Sequence, residues 1–425
     1  MDSDSDTYLQ IRGGRPLSGS VMIAGAKNAA LPCLAATLLT DQPCRLRRVP
    51  DIGDVRGFCQ ILHAIGAETD FDPDAGELEV RPPVGGCRAE PPDDLVAALR
   101  ASFLVMGPLL ARTGRASCGA PGGDDIGARP LDVHLDGFRA LGASVETNGG
   151  RTTASASHGL RGATIVLDYP SVLGTENLLL AAVLTRGRTE IINAAMDPEV
   201  VCLAEMLNRM GARIAGAGQH TITIDGVERL SGADHELIAD RIETGTLAIA
   251  AAITGGDIQL HRVEPRHVDA LRAKLTQIGV ELDCDRDKLH VNTPRPLQAT
   301  NVQALPYPGF ATDLQAPITA LLTQARGESV VHERVFENRM QHLDQLRKFG
   351  AHLISSGATP VVHGPAPLSG AVVRGTDIRA VAALVVAALA ADGTSKIFGV
   401  DHLDRAYVAL DHKLSQLGAN IERIH

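Results

Sequence analysis

The chain has 425 residues, of which 44% are hydrophobic and 21% charged, with a formal net charge of −10, no Trp and 3% aromatic residues. That length exceeds one ordinary core, so two domains of roughly 200 residues each are expected. No uncharged apolar run reaches the about 18 residues of a membrane span, and an acidic chain poor in aromatics lacks the basic, stacking face that nucleic acid requires. Anionic ligands would have to be held by arginines gathered locally. The start, Met1-Asp-Ser-Asp-Ser-Asp-Thr7, is the reverse of a secretory signal, so a cytoplasmic location is expected. Seven cysteines, an odd number with no Cys-x-x-Cys pair, read as reduced and mostly buried thiols.

In chain order, the first segment with chemical content is Ile23-Ala-Gly-Ala-Lys-Asn-Ala-Ala30. It places Lys27 and Asn28 at the end of a strand and before an apolar helix running to Leu39. A helix start with a lysine beside it is an anion site. The Walker spacing is missing, so no triphosphate cradle follows.

The next is Pro121-Gly-Gly-Asp-Asp-Ile-Gly-Ala-Arg-Pro130. Gly122, Gly123 and Gly127 allow tight backbone closure, the prolines stiffen the ends, and Arg129 offers a fork suited to phosphate or carboxylate. This is a loop able to move and to present the acid Asp124; by itself, Gly-Gly-Asp is also an ordinary surface turn.

Internal repetition sets the architecture. A helical pattern ending in apolar-Gly-small and followed by a strand recurs at Gly66, Gly142, Gly211, Gly279, Gly350 and Gly418. Each glycine falls where a helix C-cap needs a left-handed backbone. A second element, Leu-x-Gly leading into a strand, recurs at Leu17, Leu160, Leu230 and Leu368. The helices 175–184, 244–254 and 378–391 are so rich in Ala and Leu that each must be buried nearly all round. The expectation is an α/β chain of six strand-helix-strand-helix-strand units, three per domain, around internal helices.

Several segments then occur in order: Gly25-Ala-Lys-Asn-Ala-Ala30, Leu99-Arg-Ala-Ser102, the loop 121–130, Phe310-Ala-Thr-Asp-Leu-Gln315, Val335-Phe-Glu-Asn-Arg339, Thr376-Asp-Ile-Arg379 and Leu403-Asp-Arg405. Together they resemble the UDP-N-acetylglucosamine 1-carboxyvinyltransferase family from about residue 8 to the C-terminus. The resemblance implies the enolpyruvyl transferase fold: a two-domain inside-out α/β barrel of six βαβαββ-type units. Residues 27–238 would form the first domain and carry the catalytic loop 119–130. Residues 1–26 and 239–425 would form the second, with substrate in the cleft between them and the loop closing as a lid.

The implied reaction moves the enolpyruvyl group of phosphoenolpyruvate to the 3-hydroxyl of UDP-N-acetylglucosamine and releases phosphate, the first committed step of peptidoglycan synthesis, with no metal or cofactor. By matching position, Asp124 would protonate the methylene carbon and Asp313 would take the hydroxyl proton. Lys27, Arg129 and Arg405 would hold the phosphate, Arg339 and Arg379 the carboxylate, and Asn28 would orient the reacting centre. Arg100, the run Arg129, Pro130, Leu131, Asp132 and Val133, then Ser171, Val172 and the Val335 backbone would hold the UDP-sugar. Asp240, Arg241 and Glu243 match a family motif at a domain crossover and read as structural.

The chain departs from the family at Asp124 and Leu173, and also at Asp125, beside the acid, and at Ala406, which replaces a common glycine. Asp124 stands where most members have cysteine, so the epoxide antibiotic fosfomycin, which alkylates that cysteine, should not inactivate this protein; Cys118 aligns with a plain apolar position. Leu173 stands where members have glycine, which keeps open a paralogue acting on another nucleotide such as UMP. A non-catalytic sugar-nucleotide-binding relative is a further alternative. The Gly-Asn-Ala-Gly-Thr-Ala segment of the shikimate-pathway relative is missing.

Overall fold

Six helices that end in one way lay down the frame. A computed structural model describes residues 7–83 and 85–425; the acidic start, as far as residue 6, lies outside them. At Gly66, Gly142, Gly211, Gly279, Gly350 and Gly418 the backbone turns left-handed, with φ between 90° and 106°. The residue after each glycine donates its N–H five residues back: Ala67 to Leu62, Ala143 to Phe138, Ala212 to Leu207, Val280 to Leu275, Ala351 to Leu346 and Ala419 to Leu414. Each glycine also donates three residues back. This paired closure satisfies helix carbonyls that would otherwise be orphaned, and only glycine adopts it at low cost. The chain leaves every cap directly into a strand.

The chain divides into two compact units. Unit 1 holds Met1–Ala24, Asp124–Ala128 and Ala239–His425, and unit 2 holds Gly25–Gly123 and Arg129–Ile238. From the resemblance, the whole loop 119–130 is expected in the 27–238 body. Instead, its middle five residues belong to unit 1, because side chains of unit 1 bind them, as described below.

Among the described residues each unit contains three sheets. Five of the six share one order, a parallel pair extended by two antiparallel strands. One example is Ser18–Met22 parallel to Asp257–His261, followed by Lys288–Asn292 and Glu281–Asp285. The sixth, Arg115–Cys118, Arg151–Ser155 and Ser144–Asn148, lacks the parallel member. There the Ser117 N–H bonds Ala89 O in an irregular stretch instead.

In unit 1 the helices Arg241–Thr254, Gln315–Leu322 and Ile378–Ala390 pack on one another, and in unit 2 the helix Val172–Ala182 packs on both Lys27–Ala36 and Met106–Thr113. Residues 242–253 and 378–389 are buried without a break, Glu243 and Arg379 included. Small residues allow the close approach. A Cβ on Gly245 would lie 2.5 Å from Leu314, and one on Gly107 would lie 2.4 Å from Asn177 Oδ1. No helix of the described residues is long and apolar enough to cross a membrane.

Candidate active site

The chemistry-bearing side chains of unit 1 meet at the N-terminus of the helix Ile378–Ala390. Asp377 caps this helix, its Oδ1 accepting from the N–H groups of Arg379 (2.9 Å) and Ala380 (3.0 Å). The N–H of Ile378 instead faces Asp124 Oδ2 at 3.5 Å. The side chain of Arg379 reaches Asp313 Oδ2 at 2.7 Å, and Arg339 reaches Asp313 Oδ1 at 2.8 Å. Asp124 and Asp313, far apart in the chain, are therefore attached to consecutive residues of one helical turn.

Asp313 lies between two guanidinium groups that are each 6% exposed. Burial pushes its carboxyl up, but the charges of Arg379 and Arg339, with their hydrogen bonds, outweigh that and hold it far below the ordinary carboxylate range. Arg339 is placed by Thr312 Oγ1 (2.9 Å), which itself donates to Glu333 (2.8 Å). Arg379 lies over the Tyr407 ring, and the Tyr407 hydroxyl bonds Thr246 at 2.9 Å. Glu333, Thr312 and Tyr407 were not singled out by the sequence. Thr312 and Glu333 stand among other polar residues and Tyr407 among apolar ones, so nothing local marks them, and their roles come from partners elsewhere in the chain.

The middle of the loop is held by the segment 335–341. The Ala128 N–H donates to Glu337 Oε1 at 2.7 Å, Gln341 Nε2 donates to Asp125 O at 2.8 Å, and the Asn338 N–H donates to Ile126 O at 3.3 Å. Gly127, with φ 127°, is where the Glu337 carboxylate arrives; a Cβ there would lie 2.6 Å from it. The Ala128 N–H, then that of Glu337 itself, hold this carboxyl below its ordinary value. So seated, Asp124 is 11% exposed and accepts from Arg405 Nη1 at 2.6 Å. Asp125 faces solvent.

In unit 2, Lys27 opens the helix Lys27–Ala36, and its Nζ contacts Asp54 at 2.5 Å. Asn28 is half-buried in the same turn. Arg100 donates to the carbonyl of Arg129 and, at 3.5 Å, to that of Pro121. Burial, then the neighbouring Arg129 charge, brings Arg100 down to about 10. Two glycines are obligatory beside it. A Cβ on Gly122 would lie 1.7 Å from Ala97 O, and Gly123, with φ 105°, sits against both arginines.

Pro130 is exposed, Leu131 precedes the helix Asp132–Ala140, and the Asp132 carboxylate accepts from the Val133 N–H at 2.8 Å. Ser171 caps the helix Val172–Ala182 through the Gly174 N–H (3.1 Å). Val133 packs where a Gly174 Cβ would be, 2.5 Å away. The glycine that this close approach needs is thus Gly174, while Leu173 is half-buried. The Val335 N–H is engaged by Glu333 at 2.7 Å, so its backbone could serve a ligand only through the carbonyl. Asp240 and Glu243 are structural: Asp240 caps the helix Arg241–Thr254, and Glu243 accepts from the Ala24 N–H and from Lys413.

Among the seven cysteines none is in a disulfide, and Cys118 is buried with its thiol pushed up to about 12 by burial, only partly offset by Arg151. Incubation with fosfomycin should therefore leave the intact mass unchanged; a stoichiometric adduct would contradict this.

A family model described as EPSP synthase (3-phosphoshikimate 1-carboxyvinyltransferase) matches residues 11–414. Three sheets around three helices in each unit, with paired acids and arginines at one helix start, accord with that match, and the chain belongs to this family of enolpyruvyl transferases. Within it, the chain is 46% identical over 418 residues to UDP-N-acetylglucosamine 1-carboxyvinyltransferase 1 of Staphylococcus aureus strain bovine RF122 / ET3-1, covering 98% of this chain and 99% of that protein. It is equally identical over 418 residues to UDP-N-acetylglucosamine 1-carboxyvinyltransferase of Sorangium cellulosum, covering 98% of each. Among solved structures, the enolpyruvyl transferase NikO from Streptomyces tendae superposes with a TM-score of 0.87 at 27% identity, covering 98% of both chains. An EPSP synthase from Acinetobacter baumannii has a TM-score of 0.76 at 17% identity, covering 99% of this chain and 100% of that one, a likeness of fold alone.

Proposed function

We propose that this enzyme transfers the enolpyruvyl group of phosphoenolpyruvate to the 3-hydroxyl of UDP-N-acetylglucosamine, releasing phosphate, as a cytoplasmic step of peptidoglycan synthesis. The observation that carries the reading is the attachment of Asp124 and Asp313 to adjacent residues of one helix N-terminus, with Arg339, Arg379 and Arg405 around them. In the addition step the sugar oxygen bonds C2 of the enol, Asp313 accepts the hydroxyl proton, and Asp124 delivers a proton to C3. Elimination then returns the C3 proton to Asp124 and breaks the C2–O bond to phosphate, which leaves with the proton that Asp313 had taken. Fixed cations stabilise the charges throughout.

The ion pairs set the order of events. Arg339 and Arg379 carry the bidentate geometry that suits the carboxylate of phosphoenolpyruvate. A substrate carboxylate that shares them weakens their hold on Asp313, and its basicity rises once substrate is seated. Arg405 likewise turns from Asp124 to the phosphate, together with Lys27 and Arg129, which lets Asp124 carry the proton. Asn28 orients the reacting carbon. Arg100, Pro130, Leu131, Asp132, Val133, Ser171, Val172 and the Val335 carbonyl bind the UDP-sugar.

The acceptor is tested by mixing enzyme and phosphoenolpyruvate with UDP-N-acetylglucosamine or with UMP in separate reactions. Phosphate release with the sugar nucleotide is expected. Release with UMP alone would transfer the reading to another nucleotide acceptor, and release with neither would favour a binding protein. The 46% identity to sugar-nucleotide enzymes, against 27% to NikO, favours the first outcome.

A further inference from the structure

A buried cluster in unit 2 has no part in that chemistry. Cys33 lies in the helix Lys27–Ala36, Cys202 in the helix Pro198–Arg209 and His235 in the strand Asp234–Glu236. None of the three is more than 1% exposed. One ligand atom from each lies within 4.8 Å of the others, and Cys202 Sγ is 3.2 Å from His235 Nε2. We propose that Cys33, Cys202, His235 and Glu176 form a structural binding site for a thiophilic divalent cation of the zinc class.

The geometry suits such an ion. Metal–sulfur bonds of about 2.3 Å and metal–nitrogen bonds of about 2.0 Å in a tetrahedron separate the donor atoms by roughly 3.5 to 3.8 Å. The three atoms Cys33 Sγ, Cys202 Sγ and the His235 ring nitrogen, all within 4.8 Å of one another, reach that spacing with side-chain shifts of no more than about 1 Å. Glu176, in the helix Val172–Ala182, supplies the fourth donor by a movement of its side chain towards the other three, since its oxygens lie outside the 4.8 Å that those atoms share. It is 1% exposed, interacts electrostatically with both cysteines, and neither of its carboxyl oxygens has a hydrogen-bond partner. A buried carboxyl with two orphan oxygens is costly and calls for a ligand. Two thiolates and one carboxylate against a dication leave a net charge of about −1, less than the four-thiolate zinc sites tolerate. The four donors come from three helices and a strand far apart in sequence, so the ion would pin these elements together and add its binding energy to folding.

The test uses the full-length, untagged protein, equilibrated with zinc and then dialysed into zinc-free buffer. About one zinc per chain by elemental analysis is expected, with tetrahedral cobalt bands and a thiolate-to-cobalt charge-transfer absorption after replacement by Co(II). That absorption should weaken or vanish in Cys202→Ser and Cys33→Ser. Less than about 0.1 zinc per chain, or cobalt binding without thiolate absorption, would overturn the proposal. Should the serine variants fail to fold, the stoichiometry and cobalt spectrum of the unmutated protein decide the question. Every readout is independent of turnover, so the outcome does not depend on which acceptor the enzyme uses.

Discussion

Asp124→Asn should lower kcat by about 10²- to 10⁴-fold, the usual contribution of a general acid, while leaving the fold intact. The amide preserves size and keeps the bond from Arg405 through its oxygen, giving up only the long contact with the Ile378 N–H, and the loop's anchors on Glu337 and Gln341 do not involve this side chain. What it cannot do is carry a proton to carbon. Steady-state phosphate release by Asp124→Asn at the rate of the parent would remove Asp124 from the mechanism. The companion Asp124→Cys should restore a usable proton donor and, unlike the parent, become alkylated by fosfomycin. An intact mass without adduct in that variant would show that position 124 is not presented to the reacting centre.

The second large effect is expected from Asp313→Asn, with three separable signatures. Loss of the base should reduce kcat by about 10²- to 10⁴-fold. Removing the carboxylate from between two buried guanidinium groups should destabilise unit 1 by about 3–5 kcal/mol, the usual cost of breaking a buried pair, read by denaturant unfolding. Phosphoenolpyruvate should nevertheless bind more tightly, because Arg339 and Arg379 no longer have a competing carboxylate; calorimetric titration showing weaker binding would contradict the proposed exchange of partners. The stability contribution also has a definite pH window. The folded carboxyl is held far below its unfolded value of about 3.9, so the contribution is complete above that value and is lost as pH falls towards the folded one. Neutral to mildly acidic conditions should therefore leave this contribution unchanged.

Much of the architecture was legible because it rests on local rules. The glycine of each apolar-Gly-small repeat marks a backbone conformation that other residues avoid, so all six caps could be placed from the sequence and all six have the same two hydrogen bonds. The internal helices were legible from their lack of a polar face. Residues such as Glu337 and Gln341 were harder to find. Glu337 sits inside a motif that had been recognised, but its partner is the Ala128 N–H, 209 positions away, and no local pattern encodes a bond to a distant backbone group. For the same reason the loop was assigned whole to the 27–238 body, when its middle is tied to unit 1.

The sequence by itself determined the repeat, the helix ends, the buried helices and the chemical types available, because caps, periodicity and side-chain chemistry act over a few residues. Only the tertiary structure decided who pairs with whom: Asp313 between Arg339 and Arg379, Asp124 with Arg405, Lys27 with Asp54, and Cys33 beside Cys202 and His235. These pairings arise when separate repeats pack together, and ionic and metal-ligand interactions depend on distance in space, which spacing along the chain does not specify.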